Sequence, residues 1–367
     1  MLSISRCRPV LLVNLCVFCY GASSFSQENI SQWLVSPKLL EHAKLETVWT
    51  AKLPIKKEES LERLLIIDNR IYALSDHNYI VSLNRGKGSF VFGRPLALAG
   101  FMVLGLELYK DELISIVGNK LVEINPESGT VLRSMRLDFG VTCPVVRNSS
   151  CFYIADSNRR LRTWRADDKV KLFEVAAEND SMITSVIADD NFVVFATDAG
   201  NVISITPNEP KRLWQFIADD SIVTPIVKDE ESLFVASKDT YVYKLDVRMG
   251  TPPVWKYQTG AMLDKAPRVT REVVYQHVRG KGLTAIDKKS GKFMWQVAKG
   301  ADVLAEADGK AYVITSEGEL VVMNNKSRKK LYSVNFAGVS KYAVNVVDSK
   351  IYIADQTGQL VCLRPVD

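Results

Sequence analysis

The residues able to do chemistry are few and scattered. Three histidines, His42, His77 and His277, lie in different regions, and no H-x-x-H or C-x-x-C spacing gathers ligands. A zinc site is therefore not expected. No G-x-S-x-G nucleophile turn or phosphate-binding loop occurs, and Gly86-Lys87-Gly88 reads as a hairpin turn. One polar set is regularly spaced. Thr142, Thr184 and Thr224 recur at intervals of 42 and 40, each just ahead of a strand-like run. Their hydroxyls could form a rim binding a ligand at a channel mouth. They could equally make a repeated turn or inter-element hydrogen bond, which their repetition favours. Lys265 and Leu304 replace Thr in later units, so any rim is asymmetric. The stretch LTAIDKKSGKFMW, residues 283–295, sets an Asp, a Ser-Gly turn and a Trp in one frame. It could be a cofactor signature or a structural joint.

The elements that carry these residues repeat. Trp214, Trp255 and Trp295 stand 41 and 40 apart, and Trp49, Phe92, Phe173 and Tyr332 fall on the same rung, with Arg133 between Phe92 and Phe173. Short β-branched and aromatic runs recur beside them, such as RIYALSD (70–76) followed by YIVSLN (79–84), and FVVFATD (192–198) followed by NVISIT (201–206). Apolar alternation bounded by Gly, Asn, Asp and Ser reads as β-hairpins. Units of about forty residues with four strands each predict an all-β, eight-bladed β-propeller of four-stranded antiparallel blades. The last unit, ending QLVCLRPVD, lacks its rung strand, whereas LETVWTAKLP at 45–54 carries Trp49 without a unit of its own. The N-terminal strand is thus expected to complete the last blade and close the ring over 45–367.

The segment Ala285-x-Asp287-x-x-Ser290-Gly291-Lys292-x-x-Trp295 resembles the tryptophan-docking repeat of the pyrroloquinoline-quinone (PQQ)-like propellers, with Ser290 in place of Thr. Leu245-Asp246, Gly250 and Trp255 repeat it with one extra residue, while Asn125 to Gly129 match its turn but lead to Arg133. Within that class the chain resembles the non-catalytic type that serves outer-membrane protein assembly. The resemblance implies PQQ with calcium on the axis for the enzymes of the family. Those enzymes usually carry adjacent bridged cysteines, and this sequence has no Cys-Cys pair. A joint is needed at every blade and a cofactor only once, so Trp49, Phe92, Phe173, Trp214, Trp255, Trp295 and Tyr332 are read as a structural ladder.

Arg6 and Arg8, the apolar run Val10–Tyr20 and the small residues Gly21 to Ser24 have the layout of a secretory signal peptide over 1–24, cleaved or retained as an anchor. Residues 25–44 form a lead-in, with Ile30, Trp33 and Leu34 on a short amphipathic turn interrupted by Pro37. Loss of the two leader arginines lowers the formal net charge from +5 to +3, too little for a nucleic-acid surface. Cys143, Cys151 and Cys362 remain. A hairpin turn at Arg147–Ser150 would set Cys143 opposite Ile154, so Cys143 and Cys151 are not expected to pair. LALAGFMVLGL (96–106), the most apolar run after the leader, reads as a buried inner strand rather than an exposed contact patch. Lys288–Lys289 and Lys329–Lys330 read as solvated turn tips.

The functional expectation is a periplasmic or secreted, monomeric, non-catalytic scaffold. It would have no cofactor, no metal and no catalytic residues, only indirect membrane association, and a protein partner docked on inter-blade loops. Two alternatives stay open: a PQQ-dependent dehydrogenase, and a propeller that binds carbohydrate or peptide without turnover.

Overall fold

The computed structural model describes residues 33–366. The signal peptide read over 1–24, and Ile30 of the lead-in, lie outside the described residues. Eight four-stranded antiparallel sheets follow one another along the chain. Blade 1 spans 61–95, blade 2 103–136, blade 3 146–176 and blade 4 183–217; blades 5, 6 and 7 span 227–258, 268–297 and 300–335. Blade 8 takes its three inner strands from 341–365 and its outer strand from Leu45–Lys52. That strand pairs antiparallel with Gln359–Pro365, from Leu45 opposite Pro365 to Lys52 opposite Gln359. The ring thus closes by joining the two ends of the chain, as the unpaired rung strand in the sequence required.

The middle strands of the blades are the driest parts of the molecule. Cys151–Ala155, Val193–Thr197 and Asn201–Ile205 are buried at every residue. Each blade faces a neighbour on both sides, so both faces of these strands lose contact with water. Polar–apolar alternation survives best on the outer strands; Arg212–Ile217 shows Trp214 and Phe216 buried between exposed Leu213 and Ile217. The apolar clusters accordingly lie between blades. One joins Val194, Trp214 and Phe216 of blade 4 to Leu233, Val235 and Tyr243 of blade 5.

Four local readings are corrected. Pro37 does not interrupt a turn: it opens the helix Pro37–His42, whose first amides are capped by Ser36. Proline suits the first helical turn, where no amide bond is lost. The helix buries Leu40, and with Val35 and Ala43 it joins a cluster of blades 7 and 8 that includes Phe336 and Leu363. The run 96–106 is divided: Val103–Tyr109 is the inner strand of blade 2, but Leu98, Phe101 and Met102 stand exposed on the connection before it. The hairpin of blade 3 turns one residue later at each end, pairing Val146 with Tyr153, so Ile154 is not opposite Cys143. All three cysteines of the ring are buried free thiols. Lys288 is no solvated tip either, since its ammonium pairs with Asp229 of blade 5.

Closure makes a direct prediction. A chain lacking residues 1–52 leaves Gln359–Pro365 as an open edge and strips the blade of Leu45 and Trp49, both buried. It is expected to lose the single cooperative thermal transition of the full chain. A synthetic peptide spanning 43–54 added in trans should restore it, as read by calorimetry.

Candidate functional site

The repeated motif is a joint between blades, built from three parts. A carboxamide or carboxylate opens the turn before the outer strand. Asn84 Oδ1 accepts the amides of Gly86 and Lys87, Asp246 those of Arg248 and Met249, and Asp287 that of Ser290 at 2.7 Å. The turn then closes on a glycine in the left-handed region, Gly88, Gly129, Gly250 or Gly291, at φ 66–70°. That glycine receives the aromatic ring of the preceding blade. A Cβ on Gly88 would fall 2.4 Å from Trp49, one on Gly250 2.1 Å from Trp214, and one on Gly291 2.7 Å from Trp255. Only glycine satisfies both the backbone angle and the approach of the ring. The indole nitrogen then reaches a carbonyl in the same turn: Trp49 to Arg85, Trp214 to Val247 and Trp255 to Lys288, at 3.2, 2.9 and 3.0 Å. Trp295 uses the Asn325 side chain, and the Tyr332 hydroxyl donates to the Ala43 carbonyl. Phe92 lies over Gly129, and partly buried Phe173 packs against a cluster that includes Phe195 and Ile203 of blade 4.

Between blades 2 and 3 the joint is rebuilt from charges. Arg133 occupies the rung, opposite Glu123 on the neighbouring strand, and Lys169, at φ 59°, takes the glycine position of blade 3. The Glu123 carboxylate is buried and bonded by Arg133 at 2.7 Å and Lys169 at 2.8 Å. Burial works to raise its pKa, but the hydrogen bonds from Arg133 and Lys169 outweigh it and hold the group at about 2. Arg133 also pairs with Glu112. Sequence reasoning placed Arg133 on the rung but missed its partners. The signal was present, because aligning the units puts Lys169 where blades 1, 2, 5 and 6 have glycine and Glu123 where blades 1, 4 and 6 have Ser82, Ser204 and Ala285.

Two of the three threonines bond across the seams. Thr142 Oγ1 donates to the Ile183 carbonyl of blade 4, and Thr184 Oγ1 to the Ile222 carbonyl ahead of blade 5, each at 2.8 Å. Thr224 is buried and turns to Ala236 of its own blade at 3.4 Å. Lys265 Nζ lies 3.4 Å from the Ala301 carbonyl of blade 7. Nearby inner-strand charges are paired across seams, as Arg268 with Asp302 at 3.0 Å. Among the described residues no three His, Cys, Asp or Glu side chains converge on one point.

One face carries the connections from each outer strand to the next inner strand, together with the turns between the middle strands. Exposed apolar side chains gather there on the connection from blade 1 to blade 2: Leu98 is 76 % exposed, Phe101 52 % and Met102 48 %. Its backbone is fixed. Buried Asn78 donates from Nδ2 to the carbonyls of Leu98 and Phe101, both at 2.9 Å, and accepts the Leu96 amide. The Gly118 amide donates to the Met102 carbonyl. Beside Met102 a cleft is lined by Arg136, Leu137, Phe139 and Val141, and the Phe139 ring stacks on Trp164 at 5.6 Å.

These features define an eight-bladed propeller of the PQQ-like repeat class. A family model described as outer membrane protein assembly factor BamB matches residues 40–216 and 211–338, and the chain belongs to that family. Among solved structures it is similar to BamB from Moraxella catarrhalis, at 11% identity and a TM-score of 0.66 over 87% of this chain and 97% of that one. It is similar also to the computationally designed Ika8 protein, at 11% identity and a TM-score of 0.65 over 85% and 98% of the two chains. At that identity the likeness is one of fold. No curated protein matches the sequence.

Two predictions follow from the joints. Gly250→Ala should destabilise by more than about 2 kcal/mol in urea unfolding, because the methyl group meets both a left-handed backbone and the Trp214 ring. Glu123 has a folded pKa below its unfolded value near 4.3, so its contribution is present above that value and fades as the pH falls toward about 2. Glu123→Gln should therefore cost on the order of 2–4 kcal/mol at pH 7, and the gap to the parent should narrow at pH 3.

Proposed function

We propose that this protein is an exported, non-catalytic scaffold of outer-membrane protein assembly, docking a partner protein on one loop face of the ring. The observation that carries this reading is the 96–102 connection. Three large apolar side chains are held in water on a backbone fixed by Asn78 and Gly118. Exposed apolar surface gains nothing for the fold, whereas a partner that covers it gains burial and finds the loop already ordered. Membership of the assembly-factor family supplies the setting, and the leader-like N-terminus fits a periplasmic location. The protein would work as a monomer, touch the membrane only through its partner, and bind no nucleic acid.

A quinone enzyme fits the residues less well. PQQ carries several carboxylates and is usually held with a calcium ion that requires clustered oxygen ligands. The cavity among the inner strands measures about 250 Å3, is walled largely by apolar side chains, and presents one carboxylate, Glu107, without a partner among the described residues. Absorbance and dye-linked oxidation after addition of PQQ and calcium test the alternative directly; stoichiometric binding with turnover would replace the scaffold reading.

Docking is tested by placing a photo-crosslinking amino acid at Met102 in the native envelope, with Lys289 on the opposite face as control. An adduct with an outer-membrane assembly protein is expected at Met102 alone. Leu98→Asp with Phe101→Asp should abolish it at an unchanged thermal midpoint. Capture that survives the double variant would sink the proposal.

A further inference from the structure

The inner strands of blades 2, 3 and 4, with the segment entering blade 5, enclose the cavity of about 250 Å3. Its apolar walls include Leu108, Pro144, Val146, Ile187 and Pro225, and only two charged side chains line it, Glu107 and Arg147. Arg147 is committed. Its Nε donates to the Asn148 carbonyl at 3.2 Å, and its guanidinium lies 4.1 Å from the Tyr109 ring centre and 4.8 Å from that of Phe152. The hydroxyls are committed too: Thr184 donates to Ile222, and Ser185 accepts the Ile226 amide at 3.0 Å. On the preceding blade Arg63 is tied to the Val103 carbonyl at 2.9 Å. Glu107 is exposed on the cavity wall and has no hydrogen-bond or ion-pair partner among the described residues.

The backbone delivers this carboxylate deliberately. Between Leu104 and Glu107 the strand carries one residue more than its neighbour, with Gly105 at φ 70°. A Cβ on Gly105 would fall 2.6 Å from Pro144 Cβ. Such a bulge re-aims the side chains beyond it. The result is one unanswered negative charge at the edge of an apolar chamber.

We infer that this cavity binds an alkylammonium group, with Glu107 as its counter-ion. A carboxylate or phosphate ligand would meet repulsion. A divalent cation would need several oxygen ligands where one carboxylate stands. An ammonium supplies N–H donors to Glu107, and the attached methylenes cover the Leu and Pro walls. The volume lies below the roughly 300–1,000 Å3 of drug-sized sites and suits a short chain. The same chemistry could come from a free amine or from a lysine side chain of a peptide. The inference does not rest on the docking reading.

The test is a heteronuclear NMR titration of the full chain at pH 8 with n-butylammonium, with butan-1-ol and butyrate as controls. Saturable shifts are expected at residues around Glu107, with the controls at least about tenfold weaker, a difference of roughly 1.4 kcal/mol. Glu107→Gln should weaken butylammonium by a similar factor and keep the parent's thermal midpoint. Nα-acetyl-lysine methylamide separates the sources: binding as tight as butylammonium identifies a lysine side chain, and exclusion identifies a free amine. Equal binding of butan-1-ol, an unaffected Glu107→Gln, or no saturation would overturn the inference. If Glu107→Gln does not fold, the contrast among the three probes on the parent protein decides alone.

Discussion

An aromatic ring can lie flat on a backbone only where that backbone carries no Cβ, and this requirement organises the molecule. Gly88, Gly129, Gly250 and Gly291 each sit under a ring from the blade before, and each is already left-handed because its turn demands it. One residue therefore meets two constraints, of angle and of space. The carboxamide or carboxylate that opens the turn fixes the loop, and the loop offers the carbonyl that receives the indole N–H. Ring, turn and hydrogen bond hold one another in place. A sheet of four strands has two faces to cover, and this contact tells each blade how to cover the next.

At the seam between blades 2 and 3 both sides of the joint have changed chemistry. Arg133 and Lys169, together with buried Glu123, make a network in which the carboxylate is answered twice. Such a network is worth less than its short distances suggest, because Glu123 and Lys169 lose water to form it, but removing one member strands the others. This seam therefore responds to pH.

Architecture was legible in the sequence because it is periodic. Trp214, Trp255 and Trp295 set the unit, and the missing rung strand after Gln359 pointed to Trp49 and the closure that the strand pairing shows. The errors were local and had local causes. The 96–106 run was read as one buried segment, but a polar residue far upstream, Asn78, folds its first half into an exposed connection. Pro37 was read as an interruption because its position relative to the Ser36 cap, rather than its identity, decides whether it starts or stops a helix. Glu107 gave no signal at all. It directly follows an apolar run and belongs to no motif, and a bulge against the adjacent strand places it on the cavity wall.

Repetition also separates structure from function here. A position that recurs from blade to blade is answering a need of the ring, and the motif around Trp295 is of that kind. Exceptions carry a different burden. The 96–102 connection keeps its apolar side chains in water, and among the described residues no other connection groups three of them so closely. Glu107 is the one charge of its cavity without a partner among the described residues. Neither feature helps to close a ring that is already closed by its joints, and the exposed apolar side chains of 98–102 impose a cost in hydration that the fold does not require. Two unrepeated features, on a loop face and in an inner-strand cavity, are where a ring built of repeats has room for binding.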